Sequence, residues 1–190
     1  MPTILAFDTA TSVATCALVR DGEVVAERPA EARSVLAAAD ALLRGAGLGP
    51  TDVAALVVGT GPGSCTSIRM GLAAARGLGL ALGIPAAGVS TLSAYEGGEP
   101  VIDAKRGEVF ATGPVVARPE ELEVAGRTLV GDGAVRYRDI FEEAGATVPA
   151  DDDPRHIPRA HLLVPHAGEF GPAETVDPTY LRQPDAKPQQ

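Results

Sequence analysis

Four groups of residues have types and spacings that could do chemistry. Asp8 and Thr9 follow the short apolar run Thr3-Ile-Leu-Ala-Phe7 and precede a hairpin. A carboxylate and a hydroxyl at the end of a buried strand can hold a metal-bound water beside a phosphate loop, but an Asp that opens a turn more commonly caps local backbone amides, and structural use is the better reading of these two residues alone. The second group is Gly59-Thr-Gly-Pro-Gly-Ser-Cys-Thr-Ser-Ile-Arg69. Its glycines before a helix start suit a tight turn whose amides face an anion, with Ser64 or Thr66 capping the helix. No Lys follows the glycines, so it is not a Walker loop. Anion binding at Gly61, Gly63 and Ser64 and a purely geometric strand-to-helix turn both fit these residues. Cys65 lies at a helix start, where thiolates are favoured, but no His or acid is placed by sequence to activate it. Cys16 and Cys65 therefore read as small apolar fillers. His156, His161 and His166 recur every five residues in a Pro-rich stretch, which is not the spacing of a helical zinc site. The residues supply no catalytic triad and no metal motif.

The elements that must position these groups are clearest in the first ninety residues. Thr3–Phe7, Thr15–Arg20 and Glu23–Glu27 read as three antiparallel strands, with Asp21-Gly22 as the hairpin turn between the last two. Apolar residues at Val35, Leu36, Ala39, Leu42, Leu43 and Ala46 predict a helix over Ala30–Ala46, closed by Gly45 and Gly47. Val53–Val58 is an almost continuous apolar strand of the kind buried on both faces. The glycine loop follows it directly, and a helix is expected from about Thr66 to Leu82.

That helix carries only two charged residues, Arg69 and Arg76, seven apart on one side. Ile68, Met70, Leu72, Leu78, Leu80 and Leu82 are distributed around the rest, so it has no broad solvent face. Gly71, Ala75 and Gly79 add small residues four apart, which let another backbone come close. This pattern reads as a subunit interface in preference to a helix buried by the chain itself. Ile84–Ser90 gives one more strand. Beyond it, Glu99–Asp103 and Gly107–Thr112 read as a strand pair, Leu129–Gly133 as a strand and turn, and Val135–Ala144 as a short helix. Pro149–Pro158 reads as a loop, His161–Val164 as a helical stub, and Asp177–Pro184 as the start of a frayed tail.

Composition bounds what these elements can do. The chain has 190 residues, 45% of them hydrophobic, with 33 Ala, 22 Gly, no Trp and a net charge of -9. That is ordinary for a globular protein, though the core is thin in side-chain volume and its helices can pack closely. Sixteen Lys and Arg against 25 Asp and Glu argue against strong nucleic-acid binding by this chain alone. Met1–Asp8 lacks the basic region of a secretory signal, and no apolar run approaches a membrane span. A cytoplasmic chain with reduced thiols and no membrane contact is expected.

Ile4-Leu-Ala-Phe-Asp-Thr-Ala-Thr11, Gly61-Pro-Gly-Ser-Cys-Thr-Ser-Ile-Arg-Met-Gly71, Gly83-Ile-Pro-Ala-Ala-Gly-Val-Ser90, Asp103-Ala-Lys-Arg-Gly-Glu-Val109 and Pro178-Thr-Tyr-Leu-Arg182 together resemble the TsaB (YeaZ) family of bacterial tRNA-modification proteins. The resemblance implies an α/β fold: an actin-like (ASKHA, ribonuclease-H-like) mixed sheet with flanking helices over 1–95, and a smaller, trimmed lobe over 96–190. It implies a non-catalytic scaffold subunit, required for threonylcarbamoyl transfer to the adenosine beside the anticodon of tRNAs reading ANN codons. The partners implied are a TsaD-like catalytic paralogue and a TsaE-like ATPase, with a homodimer when the chain is alone and tRNA held only through the complex. Asp8, Thr9, Gly61, Gly63 and Ser64 would be the remnant of a nucleotide cleft. No cofactor is expected on the isolated chain, and ATP or ADP only at the complex junction. The partner surface would be built from Val35, Leu36, Leu42, Arg69, Met70, Leu72, Ala75, Arg76 and Gly79. Cys65 and Ser67 stand where the family usually has Phe and Gly, and Glu31-Ala32-Arg33 where it has a His-Ser-Glu run. Only Ser93–Glu99 separates Leu92 from the next strand, which is short for the family. The other function these residues would allow is an actin-fold kinase or acyltransferase using Asp8 and the Gly61–Ser64 loop directly.

Overall fold

The computed structural model describes residues 2–113 and 115–182; the expected frayed end beyond Arg182 lies outside them. Three strands open the chain: β1 (Thr3–Asp8), β2 (Ala14–Arg20) and β3 (Glu23–Ala30). The β2–β3 turn has positive φ at both Asp21 and Gly22, the geometry whose twist matches a tight hairpin. After α1 (Val35–Gly45), β4 (Val53–Gly59) returns parallel to β1. The helix α2 (Cys65–Leu82) then leads to β5 (Ala86–Val89), parallel to β4. The sheet order is β3-β2-β1-β4-β5, a mixed sheet with flanking helices, as the ribonuclease-H-like expectation requires. Leu5, Phe7, Cys16, Leu18, Leu56 and Val58 face α1 and α2 across one core.

A second sheet repeats this plan in reduced form. Strands β6 (Glu99–Lys105), β7 (Glu108–Ala111), β8 (Val115–Ala117) and β9 (Leu129–Val130) run in the order β8-β7-β6-β9. The first three are antiparallel and β9 is parallel to β6, the same arrangement as β1 to β4. The crossover between β8 and β9 holds one 3-10 turn, Pro119–Glu121, where the first lobe has a full helix, and no fifth strand follows among the described residues. The helix expected over Val135–Ala144 is two short pieces, α3 (Asp132–Arg136) and α4 (Arg138–Glu143), broken at Tyr137.

The segment expected to stay with the second lobe instead returns to the first. The turn Ala160–His166 lays Ala160 and Leu163 on the open face of the first sheet, against Ala6, Ala17 and Val57. A buried carboxylate on β3 fixes it there: Glu27 accepts from Arg159 Nε at 2.6 Å and lies 2.9 Å from His161 Nδ1. The last described stretch then pairs Gly171 with Ala86 at the outer edge of β5. It continues along α2 and reaches the second lobe, where Arg182 Nη1 donates to the Ala104 carbonyl at 3.0 Å.

This return corrects the expectation for α2. Ser64 caps the helix, and Gly83 ends it in the left-handed conformation at φ 65°. Its small-residue stripe is turned inward. A Cβ on Gly71 would lie 2.3 Å from Thr9 Oγ1, and one on Gly79 would lie 2.4 Å from the Ala173 Cβ. Ala75 is completely buried, and Leu72 here and Val35 and Leu42 on α1 are buried as well. These positions therefore pack against the chain itself and do not form a free partner surface. The two charged residues are also engaged internally. Arg69 Nε donates to the Tyr180 hydroxyl at 2.8 Å, and Arg76 Nη2 donates to the Val176 carbonyl at 2.9 Å. The C-terminal stretch supplied cover that the periodicity of α2 alone does not reveal. Exposure remains at Leu80 (87%), Leu36 (49%) and Met70 (37%).

Ala75→Arg places a charge in this closed contact with no room for the stem. Loss of about 3 kcal/mol or more is expected in urea unfolding, so the substitution should destabilise the monomer and not merely block association.

Candidate functional site

β1 carries Asp8 into the place where β1, β4 and β5 end side by side. The carboxyl is fully buried. Its Oδ1 accepts from the Ala10 amide at 2.7 Å and its Oδ2 accepts from Thr91 Oγ1 at 2.7 Å. Thr91 in turn accepts from the Gly61 amide at 3.1 Å, and its own amide donates to the Gly61 carbonyl at 2.8 Å. Burial pushes the Asp8 carboxyl above its usual range, against the lowering effect of the Thr91 and Ala10 hydrogen bonds. Gly59 is the only residue type that fits beside it, because a Cβ there would sit 1.8 Å from Asp8 Oδ2. Asp8 is thus a latch between loops and faces no cleft.

The glycine loop is closed in the same way. Thr60 N donates to the Val89 carbonyl and Ser64 N to the Ala10 carbonyl, both at 2.8 Å, while Gly61 N is held by Thr91 and Pro62 has no N–H. A Cβ at Gly63 would come within 2.2 Å of the Ala10 oxygen. Thr9 Oγ1 donates to the Ser67 carbonyl at 2.7 Å. The Thr9 hydroxyl and the Thr60, Gly61 and Ser64 amides are therefore engaged within the chain, while Gly63 and Ser64 also border the open space before α2. Of the two readings the residues allow, tight turn geometry accounts for the glycines.

Two carboxylates not singled out as site residues do reach an open space. A cleft of about 620 Å³ separates the start of α2 from the second lobe and is lined by Ser12, Arg33, Ser64, Met70, Asp103 and Asp132, among others. Asp103 lies two residues before the end of β6, whereas Asp8 is the last residue of β1. It takes Lys105 Nζ on Oδ2 at 2.7 Å and the Lys105 amide on Oδ1 at 2.8 Å. Asp132 opens α3, accepts from the Asp103 amide at 3.0 Å and meets Ser12 Oγ at 3.4 Å across the lobes. Burial raises its carboxyl first of all, and neighbouring Asp103 adds to this. Only the repetition of a strand with Asp near its end would have pointed to Asp103 in the sequence. The chemistry available here is that of a polar seam between lobes.

The remaining groups separate. His156 is buried, accepts from the Gly131 amide at 3.1 Å through Nδ1, and lies 3.1 Å from the Pro149 carbonyl through Nε2. His161 is on Glu27. Cys16 is a buried filler whose thiol burial pushes up to about 12, whereas Cys65 is exposed at the first residue of α2 and fills no core. No helix among the described residues is long and apolar enough to cross a membrane.

A family model described as TsaD, tRNA N6-adenosine threonylcarbamoyltransferase, matches residues 25–140. The Escherichia coli protein named tRNA threonylcarbamoyladenosine biosynthesis protein TsaB is 30% identical over 94% of this chain and 94% of its own length. This chain belongs to the TsaB family. An uncharacterised Mycobacterium tuberculosis protein is 36% identical over 98% of the chain and 94% of its own length. Among solved structures, YeaZ from Pseudomonas aeruginosa matches with a TM-score of 0.79 at 27% identity, covering 95% of this chain and all of that one. The fold class is therefore that of the TsaB family, and the latch at Asp8 belongs to a TsaB-type first lobe.

Thr91→Val removes both the donor to Asp8 and the acceptor for Gly61, and is expected to lower stability by about 2–3 kcal/mol. The sign of its pH dependence follows from Asp8. A buried carboxyl with a raised folded pKa favours folding below the unfolded value near 3.8, and that contribution is lost as pH rises through the folded pKa. Thr91 supports the ionised form, so its removal raises the folded pKa further. Urea unfolding should show a larger deficit at pH 7 than at pH 4.5; an equal deficit at both would remove Asp8 from the account.

Proposed function

We propose that this chain is a non-catalytic scaffold subunit in the synthesis of threonylcarbamoyladenosine in tRNA, acting by association with a TsaD-type catalytic paralogue. Relatives named for that biosynthesis support the pathway, and the family model shared with TsaD supports the kind of partner. The observation that carries the scaffold role is the inward engagement of the groups at the ends of β1 and β4. Asp8, Thr9, Gly61 and Ser64 hydrogen-bond within the chain.

The association surface in this reading is narrower than the sequence pattern of α2 suggests. It is the outer face of the two helices, with Leu36 on α1 and Met70 and Leu80 on α2 as its large exposed apolar residues. Small residues between them, Ala37, Ala73 and Gly77, are exposed as well. Such a face favours close helix-on-helix docking, with a second copy as the occupant when TsaD is lacking. The net charge of -9 directs tRNA binding to other subunits, and any ATP or ADP to the subunit junction with a TsaE-type ATPase.

The double substitution Leu36→Asp with Met70→Asp tests this surface. Both side chains are exposed, so stability should change by no more than about 0.5 kcal/mol. Co-purification with the TsaD-type protein should be lost, and mass spectrometry of tRNA nucleosides should show less threonylcarbamoyladenosine. A folded variant that still co-purifies overturns the surface. Magnesium-ATP supplied to the isolated chain should give no turnover; turnover lost in Asp8→Ala would overturn the scaffold role.

A further inference from the structure

The outer edge of the first sheet is only partly closed. In the parallel β4–β5 ladder, Leu56 N donates to the Pro85 carbonyl and Thr60 N to the Val89 carbonyl. Strand alternation then turns the backbone groups of Ala86 and Gly88 away from β4. Ala86 exchanges both of its hydrogen bonds with Gly171, at 2.8 and 3.0 Å. Gly88, two residues on, has no such partner among the described residues. Its N–H and C=O open into a notch of about 450 Å³ bounded by Glu169, Phe170, Thr175, Asp177 and Thr179.

Three features give the notch a preference. It offers one donor and one acceptor spaced for an added strand, continuing the antiparallel pairing that Gly171 begins. Gly88 has no side chain to obstruct approach, and Thr60 and Val176 already fill the space a Cβ would take. The charged residues on its rim are Glu169 and Asp177; Asp177 is met only at 3.5 Å by Arg76, and Glu169 has no cation within pairing distance among the described residues. A polyanion is repelled there and a cation attracted.

We propose that this notch takes a short extended segment of a partner protein bearing Lys or Arg, added as a strand at Gly88. Backbone pairing holds the segment, and the acidic rim selects its charge. The site lies on the opposite edge of the sheet from β3 and does not use the α1–α2 face, so it stands whether or not the scaffold reading holds.

The full chain is tested with three pentapeptides: Val-Lys-Val-Lys-Val, Val-Glu-Val-Glu-Val, and the lysine peptide with its backbone N-methylated. Amide hydrogen exchange at Gly88 should slow at least tenfold with the lysine peptide and stay unchanged with the other two. Glu169→Gln with Asp177→Asn should weaken lysine-peptide binding about fivefold, as expected for two exposed charge pairs, while leaving the fold intact. Equal binding of the lysine and glutamate peptides overturns the proposal, as does binding of the N-methylated form. Protection of Gly88 without peptide also overturns it: in the monomer it would mean that the chain's own 168–171 stretch closes the edge, and in concentrated protein alone that a second copy does.

Discussion

A carboxyl buried where three strands end is the constraint on which the first lobe depends. Asp8 must find partners within the fold, since an unpaired buried carboxylate costs several kcal/mol. It finds them in the Ala10 amide and the Thr91 hydroxyl, and Thr91 passes the connection to Gly61. That single chain of hydrogen bonds ties the end of β1 to the loop after β4 and the loop after β5. It also fixes the start of α2, because Ser64 in the same loop caps that helix and donates to the Ala10 carbonyl. An arrangement able to present backbone amides to a phosphate has thereby become a rigid corner. Asp8, Thr91 and the Gly61 amide cannot both hold the corner and bind a ligand without breaking buried bonds.

The consequences of that corner run along α2. Gly71 admits Thr9 and Gly79 admits Ala173, so the helix sits close to the sheet on one side and close to the C-terminal stretch on the other. Arg69 and Arg76 then hold that stretch through Tyr180 and the Val176 carbonyl. Thr179 joins the same system, its amide donating to the Thr60 carbonyl at 2.8 Å. From there Leu181 packs with Ile102 and Phe110 of the second lobe. The last described residues are a strap from the glycine loop to the trimmed lobe. Among the described residues the two lobes meet through this tail, through Ser12 and Asp132, and through Leu92 and Tyr95 packed against Ile102 and Phe110.

How much of this was legible in the sequence depended on whether the signal was local. The hairpin at Asp21-Gly22, the strand Val53–Val58 and the helix after the glycine loop rest on turn chemistry and short-range periodicity, and each formed close to where those signals place it. Three features rest on distant partners and were not legible. Asp8 reads as a turn cap or the remnant of a site, and its partner Thr91, 83 positions away, leaves no local sign. The Gly71-Ala75-Gly79 stripe reports that something comes close but not what, and Ala173 lies far along the chain. The return of Ala160–His166 to the first sheet depends on a lone Glu27, which on β3 looks like any solvated strand acid. The second lobe was faint because its crossover helix is reduced to a turn, leaving no 3.6-residue period to read.

Closure on one side defines what is left on the other. With the inner face of α2 given to Thr9 and Ala173, its large exposed apolar groups are Met70 and Leu80, beside Leu36 of α1. An Ala- and Gly-rich pair of helices loses little side-chain entropy when a second helical pair docks on it, and allows close backbone approach. The composition that makes the core thin thus makes this outer face a good docking platform. A net charge of -9 disfavours binding of a polyanion by this chain alone. In the scaffold role proposed above its contribution is mechanical: the corner at Asp8 fixes the start of α2, and the outer face of α1 and α2 is the platform on which a catalytic partner docks.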